Sequence, residues 1–205
     1  MTRTTRRTFL TVALAGGAAL AAGRSFAATP DTLSKEAVLY DPKAPVLGNP
    51  KGDVNLIEYF DYQCPYCKKS YPLLMDLVKT DGKIRFVMKD WTIFGAESVY
   101  ASQLTLAAGQ HRPQALDALM RTEGRLTMQM IDKTLTKAGF DVAALKRNYQ
   151  RDKANIDGLL NRNGAQAEGF GFNGTPAFVA GTVLFPGVPR LDDLKKAFAE
   201  SRARK

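Results

Sequence analysis

The stretch from Phe60 to Pro72 reads FDYQCPYCKKSYP and holds both cysteines of a 205-residue chain, Cys64 and Cys67. Two thiols at that spacing can staple the chain, hold a metal or exchange disulfides with other thiols. A disulfide closing so short a loop would restrain the unfolded chain by only about 2 kcal/mol and would join nothing distant. Two thiolates supply half of a tetrahedral zinc shell. The single histidine, His111, lies in the polar stretch HRPQ, which reads as a surface turn. Copper(I), which two soft sulfurs can satisfy, stays open as an alternative.

Exchange chemistry fits the local sequence better. Pro65 suits the first position of a helix, where its missing N–H costs nothing. That puts Cys64 at the N-cap and Cys67 one turn inside. The positive end of the helix dipole and its free N–H groups favour a thiolate at Cys64. Such a thiolate attacks a disulfide, forms a mixed disulfide, and is displaced by Cys67 in an intramolecular second step. This reading requires the Cys64 sulfur to be reachable from solvent and to ionise more readily than an ordinary thiol.

The flanking elements must hold that junction. VNLIEYF, Val54 to Phe60, is dense in apolar and β-favouring residues and reads as a buried central strand. CPYCKKSYPLLMDLVKT is helix-like, with Leu73, Leu74, Leu77 and Val78 expected on its apolar face and Lys68 and Lys69 on a solvated one. Pro72 inside that helix should kink it. KIRFVMKD, Lys83 to Asp90, reads as a second strand after the Asp81-Gly82 turn, completing a right-handed βαβ unit. From about residue 95 to 170 the spacing is helical, broken at Gly109, Gly124 and Gly139, with Asp141 as an N-cap. TPAFVA and TVLF, separated by Gly181, read as a hairpin, and PRLDDLKKAFAESR closes the chain as an amphipathic helix. The fold class is therefore α/β: a βαβ half, a helical block, then a ββα half. Residues 28–52, rich in Pro, Asp, Gly and Asn, read as an extended lead-in to a domain spanning 53–205.

A C-x-x-C at the strand-to-helix junction of a βαβ unit reads as a thioredoxin-like site. With LIEYFDYQCPYCKKSYP, the downstream GTPAF and the helical insertion, the chain resembles the DsbA-like family of exported thiol-disulfide oxidoreductases from about Asp41 to its C-terminus. The resemblance implies a thioredoxin-like fold with an inserted helical subdomain, Cys64 and Cys67 as the catalytic pair, and no cofactor or metal. It implies that Pro176, after Thr175, is cis and faces the cysteines, leaving the preceding backbone free to pair with an extended substrate. Pro65, Tyr66, Thr175 and Pro176 are then the substrate-facing residues. It also implies a catalytic role for Glu58, six residues before Cys64, as a buried acid that exchanges a proton with Cys67. The residue pattern alone equally allows a strand-end carboxylate reaching solvent or a lysine. The aromatics Tyr62, Tyr66, Trp91 and Phe94 either line the site or pack in the core.

Direction is less determined. The second residue between the cysteines is Tyr66, not the histidine of strongly oxidising family members, so an intermediate potential is expected. The balance favours a monomeric oxidase that introduces disulfides into exported proteins. An isomerase or reductase kept reduced by a membrane partner is the runner-up, and a copper-binding protein without turnover is a third reading. Partners would be exported proteins with cysteines and a membrane redox protein.

The N-terminus sets the compartment. Residues 1–27 combine a basic start, an apolar run from Phe9 to Ala22 and a small-residue site ending at Ala27, the layout of a cleaved signal peptide. Arg6-Arg7 ahead of Phe9-Leu10 is similar to a twin-arginine export signal. The expected location is the periplasm. Loss of the leader's four arginines lowers the formal charge from +9 to +5. The remaining basic residues are dispersed, so nucleic acid is not expected as a partner.

Overall fold

The structure, a computed structural model, describes residues 32–204. The signal peptide expected over residues 1–27 lies outside the described residues. Four strands form one sheet in the order β2-β1-β3-β4. Strand β1 (Val54–Phe60) runs parallel to β2 (Ile84–Asp90) and antiparallel to β3 (Ala177–Ala180). Strand β3 turns through Gly181, at φ +59°, into β4 (Val183–Phe185), the expected hairpin. A strand flanked on both sides and covered on both faces reads as a nearly continuous apolar run, which is why VNLIEYF was legible.

Alternation along β1 sends side chains to two cores. Leu56 and Phe60 join Phe86, Met88 and Phe178 on the face that also gathers Cys64 and Cys67. Glu58 belongs to the same alternate set. Ile57 and Tyr59 join Val87, Trp91, Val179 and Phe172 on the other face.

Helix α1 (Lys35–Leu39) lies in the lead-in, whose later part runs along the outer edge of β2. There the Leu47 N–H donates to the Phe86 carbonyl (2.8 Å) and the Asn49 N–H to the Ile84 carbonyl (2.9 Å). A Cβ on Gly48 would sit 2.4 Å from the Ile84 oxygen, so the close approach requires glycine. The lead-in thereby covers an edge that would otherwise present unpaired backbone.

Helix α2 (Pro65–Asp81) joins β1 to β2, running unbroken through Pro72. Its inward face differs from the one expected. Cys67, Lys68, Ser70, Tyr71, Leu74 and Val78 are buried, whereas Leu73 is 59% exposed. The cause is phase. A helix that turns Cys67 inward also turns positions 71, 74 and 78 inward, and position 73 points away.

The insertion comprises α3 (Ala96–Leu106), a 3₁₀ turn at Gly109–His111, α4 (Arg112–Met120), α5 (Met128–Lys137) and α6 (Val142–Gly169). Asp141 caps α6, its carboxylate accepting from the Ala144 N–H at 3.0 Å, and the helix is interrupted at Asp152. His111 is exposed, as its polar surroundings suggested. A buried ion pair bolts the insertion to the sheet. The Arg112 guanidinium donates to the Asp90 carboxylate and to the Met88 carbonyl (3.2 Å), with both charged side chains only 1% exposed. Helix α7 (Leu191–Ala203) closes the chain, and its Arg202 pairs with Asp81 (2.7 Å) and Asp53 (2.8 Å). Among the described residues no helix is long and apolar enough to cross a membrane.

Candidate active site

Strand β1 ends at Phe60, and a tight turn leads to the helix. The Cys64 N–H donates to the Asp61 carbonyl (3.0 Å), and Cys64 takes the N-cap of α2 with Pro65 at the first helical position. An N-cap side chain normally accepts from the N–H two or three residues on. Here the acceptor is sulfur: Cys64 Sγ receives the Cys67 N–H at 3.4 Å. Both cysteines are free thiols.

The two sulfurs are pushed in opposite directions. The hydrogen bond from the Cys67 thiol, the Thr175 side chain, and the N–H groups of Cys67 and Tyr66 draw Cys64 down to about 6, against the upward push of burial. Cys67 is driven far above the ordinary thiol range, mainly by burial and further by its bond to Cys64 and by the charge of Glu58. One sulfur is thus a thiolate at neutral pH while the other keeps its proton. This is the division of labour that nucleophile and resolving thiol require.

Solvent access departs from expectation. Cys64 is only 1% exposed and Cys67 is fully buried. The cover comes from far along the chain: the Cys64 thiol donates to the Thr175 carbonyl at 3.2 Å. The Thr175-Pro176 bond is cis and directly precedes β3. Attack on a substrate disulfide must therefore displace or bypass a contact with Thr175. The Thr175 hydroxyl is buried and, among the described residues, has no partner other than the Cys64 sulfur, whose thiolate it favours. Pro65 is exposed and Tyr66 is 65% exposed, both beside the sulfur.

Glu58 is fully buried on the cysteine side of the sheet, paired in register with Met88 and Phe178. Neither carboxylate oxygen has a hydrogen-bond partner among the described residues. Burial, and secondly the charge on Cys64, hold its pKa well above the usual carboxylate range. A strand-end carboxylate reaching solvent or a lysine is ruled out by this position. A buried acid without partners that feels the ionisation of Cys64 can take up or return a proton within the pair.

Of the aromatics, Tyr62 and Trp91 are core residues, and the Tyr62 hydroxyl donates to Thr105 Oγ1 (2.9 Å). Tyr66 and Phe94 are exposed.

Several residues that shape the site were not visible in the sequence. Asp61, 1% exposed, accepts from the Gln63 N–H (2.7 Å), Ser98 Oγ (2.6 Å) and the N–H groups of Ile93 (2.8 Å) and Phe94 (3.1 Å). It ties the turn before Cys64 to the segment after β2. Gln63 forms a two-way clamp with Leu126, its amide donating to the carbonyl (2.7 Å) and accepting from the N–H (2.8 Å). Lys68, expected on a solvated face, is 9% exposed and donates to the Gly124 carbonyl (2.7 Å). Its partner exists only because the insertion folds back over α2. An Asp three residues before an N-cap cysteine is the one local signal that could have been noticed.

Among the described residues no group of three His, Cys, Asp or Glu side chains could hold a metal ion.

Comparison with known proteins agrees with this geometry. A family model described as Thioredoxin matches residues 41–200. No curated protein matches the chain. Among solved structures, a thioredoxin-like oxidoreductase from Silicibacter pomeroyi DSS-3 is 34% identical with a TM-score of 0.79, the match covering 83% of this chain and 98% of that one. A periplasmic thioredoxin-like protein from Salmonella enterica serovar Typhimurium is 26% identical with a TM-score of 0.68, over 82% and 95% of the two chains. The thiol-disulfide exchange protein alpha-DsbA2 from Wolbachia pipientis shares the fold at 24% identity and a TM-score of 0.75, over 82% and 93%. This chain therefore belongs to the thioredoxin family, among its thioredoxin-like oxidoreductases.

Proposed function

We propose that the protein is a periplasmic oxidase that introduces disulfides into exported proteins, with Cys64 as nucleophile and Cys67 as resolving thiol. The observation that carries this reading is the opposite displacement of the two thiols, Cys64 down to about 6 and Cys67 upward. A stabilised thiolate favours the reduced enzyme, and an enzyme that prefers to be reduced oxidises its clients. In the forward step a client thiolate attacks Cys64 of the Cys64–Cys67 disulfide, and the Cys67 thiolate leaves and takes a proton. A second client thiolate then attacks the client sulfur of the mixed disulfide and releases Cys64 as thiolate. The client gains a disulfide and the enzyme is left with two reduced sulfurs. A membrane redox partner would remove those two electrons to restore the disulfide.

Glu58 supports the same scheme, since a buried protonated acid can supply the proton that Cys67 needs on departure and reclaim it on reoxidation. Thr175 and Pro176 fit a substrate-facing loop, because the Thr175 carbonyl that caps Cys64 is the group an extended client would meet first. The leader over residues 1–27 supports export, and we take the mature chain to act as a monomer.

The redox equilibrium of the protein against glutathione tests the direction. An oxidase predicts a disulfide readily reduced by glutathione and fast oxidative refolding of reduced ribonuclease. A disulfide that resists glutathione, with faster recovery of scrambled than of reduced ribonuclease, would place the protein with isomerases or reductases instead.

A further inference from the structure

A cleft of about 500 Å³ opens beside Cys64, between the start of α2 and the loop that joins α4 to α5. Pro65, Pro72 and Met120 give it an apolar floor, and Lys69, Arg121 and Arg125 stand on its walls. The loop is fixed in place by the residues that bracket the cysteines: Gln63 clamps Leu126 and Lys68 holds Gly124. The cleft is therefore built onto the catalytic turn.

Its charges are unevenly answered. Arg121 is paired with Asp117 at 2.8 Å, and Lys68 is occupied by a carbonyl. Lys69 and Arg125 are exposed and have no acidic partner among the described residues. The loop's one acid, Glu123, is exposed and answers neither of them. Two free cations over an apolar floor, next to a nucleophilic sulfur, complement a peptide segment that carries carboxylates and an apolar side chain.

We propose that this cleft receives the client segment adjoining the reactive cysteine and selects for acidic residues there, with Lys69 and Arg125 as specificity-determining residues. The inference rests on the thiol-exchange reading of Cys64. An extended chain advances about 3.3 Å per residue, so side chains roughly two to four positions from the client cysteine come to lie over the cleft. Acidic clients would approach faster and be held longer, and both effects would fade with salt.

The test compares three disulfide substrates with the full mature protein: a peptide with Asp or Glu two to four positions from its cysteine, the same peptide with Lys there, and uncharged hydroxyethyl disulfide. The proposal expects kcat/KM for the acidic peptide to exceed that for the basic one by about 5–10-fold at low salt. In the Lys69→Glu, Arg125→Glu double variant the order should reverse, while the rate with hydroxyethyl disulfide stays unchanged. Equal rates for both peptides, with normal exchange of the uncharged disulfide, would overturn the cleft assignment and leave Cys64 chemistry standing. Failure to exchange the uncharged disulfide would instead overturn the reading of Cys64 on which the assignment rests.

Discussion

The thiol of Cys64 donates to the main-chain carbonyl of Thr175 across 3.2 Å, although 111 residues separate them. This contact holds the protonated sulfur under cover and places the buried threonine hydroxyl at its side. When Cys64 ionises, the bond to the carbonyl is lost and the hydroxyl becomes the useful neighbour. The loop before β3 thus covers the sulfur and adds to the larger effect of the Cys67 thiol in favouring its ionisation.

Thr175→Val keeps the shape of the side chain and removes the hydroxyl. Hydrogen bonds to charged groups are worth about 1.5–3 kcal/mol, so the Cys64 titration should move up from about 6 by roughly one to two pH units. Ultraviolet thiolate absorbance of the reduced protein against pH measures this directly. An unmoved midpoint would mean that the hydroxyl contributes nothing to the thiolate.

The lowered Cys64 value makes the reduced protein pH-sensitive. In the native state Cys64 gives up its proton near pH 6, whereas in the unfolded chain it does so near the ordinary 9.0. Between those values the unfolded state binds more protons, so stability rises with pH across the window. The contribution is full above about pH 9 and gone below about pH 6. Thermal unfolding of reduced wild type and Cys64→Ser from pH 5.5 to 8.5 should show the gap widening with pH. Glu58 acts with the opposite sign, because its raised value costs stability as pH climbs above 4.5. Comparison at fixed pH against Cys64→Ser cancels most of that cost.

Glu58→Gln should leave the fold intact and slow the proton-linked step at Cys67. General acid–base groups contribute about 100-fold or more where proton transfer limits the rate, so a loss of at least about tenfold is expected in resolution of a mixed disulfide. The pH dependence of that step should flatten as well. Stopped-flow fluorescence or quenched mass analysis of the mixed disulfide reads both. Unchanged kinetics across pH would remove Glu58 from the mechanism.

The elements that carry the cysteines were legible because their signals are local. A run of apolar residues, a proline after Cys64 and a glycine at Gly82 specify strand, helix start and helix end without reference to anything distant. Glu58 stood out as an acid in such a run, although only the fold reveals that nothing answers its carboxylate. The inward turn of Lys68, the outward turn of Leu73 and the cover over Cys64 were not legible. Each depends on where the insertion or the Thr175 loop lands, and those contacts join residues dozens of positions apart. Gln63 carried no signal in the sequence, yet its amide bonds both the N–H and the carbonyl of Leu126.

Arg112→Met should be severely destabilising. It leaves the Asp90 carboxylate buried without its counter-charge, a situation that typically costs about 3–5 kcal/mol. Replacing both partners, with Asp90→Asn added, should recover part of the loss. Urea unfolding of the single and double variants measures the difference, and a double variant no more stable than the single one would show that the pair does not act as a unit.

The most direct measurement is pH-dependent alkylation of the reduced protein, with the modified residue mapped by mass spectrometry. The cover over Cys64 slows the rate at every pH but leaves the titration midpoint in place. The account expects modification at Cys64 alone, with a midpoint near 6, and Cys67 protected throughout. A midpoint near that of free cysteine, or modification of Cys67 ahead of Cys64, would contradict it.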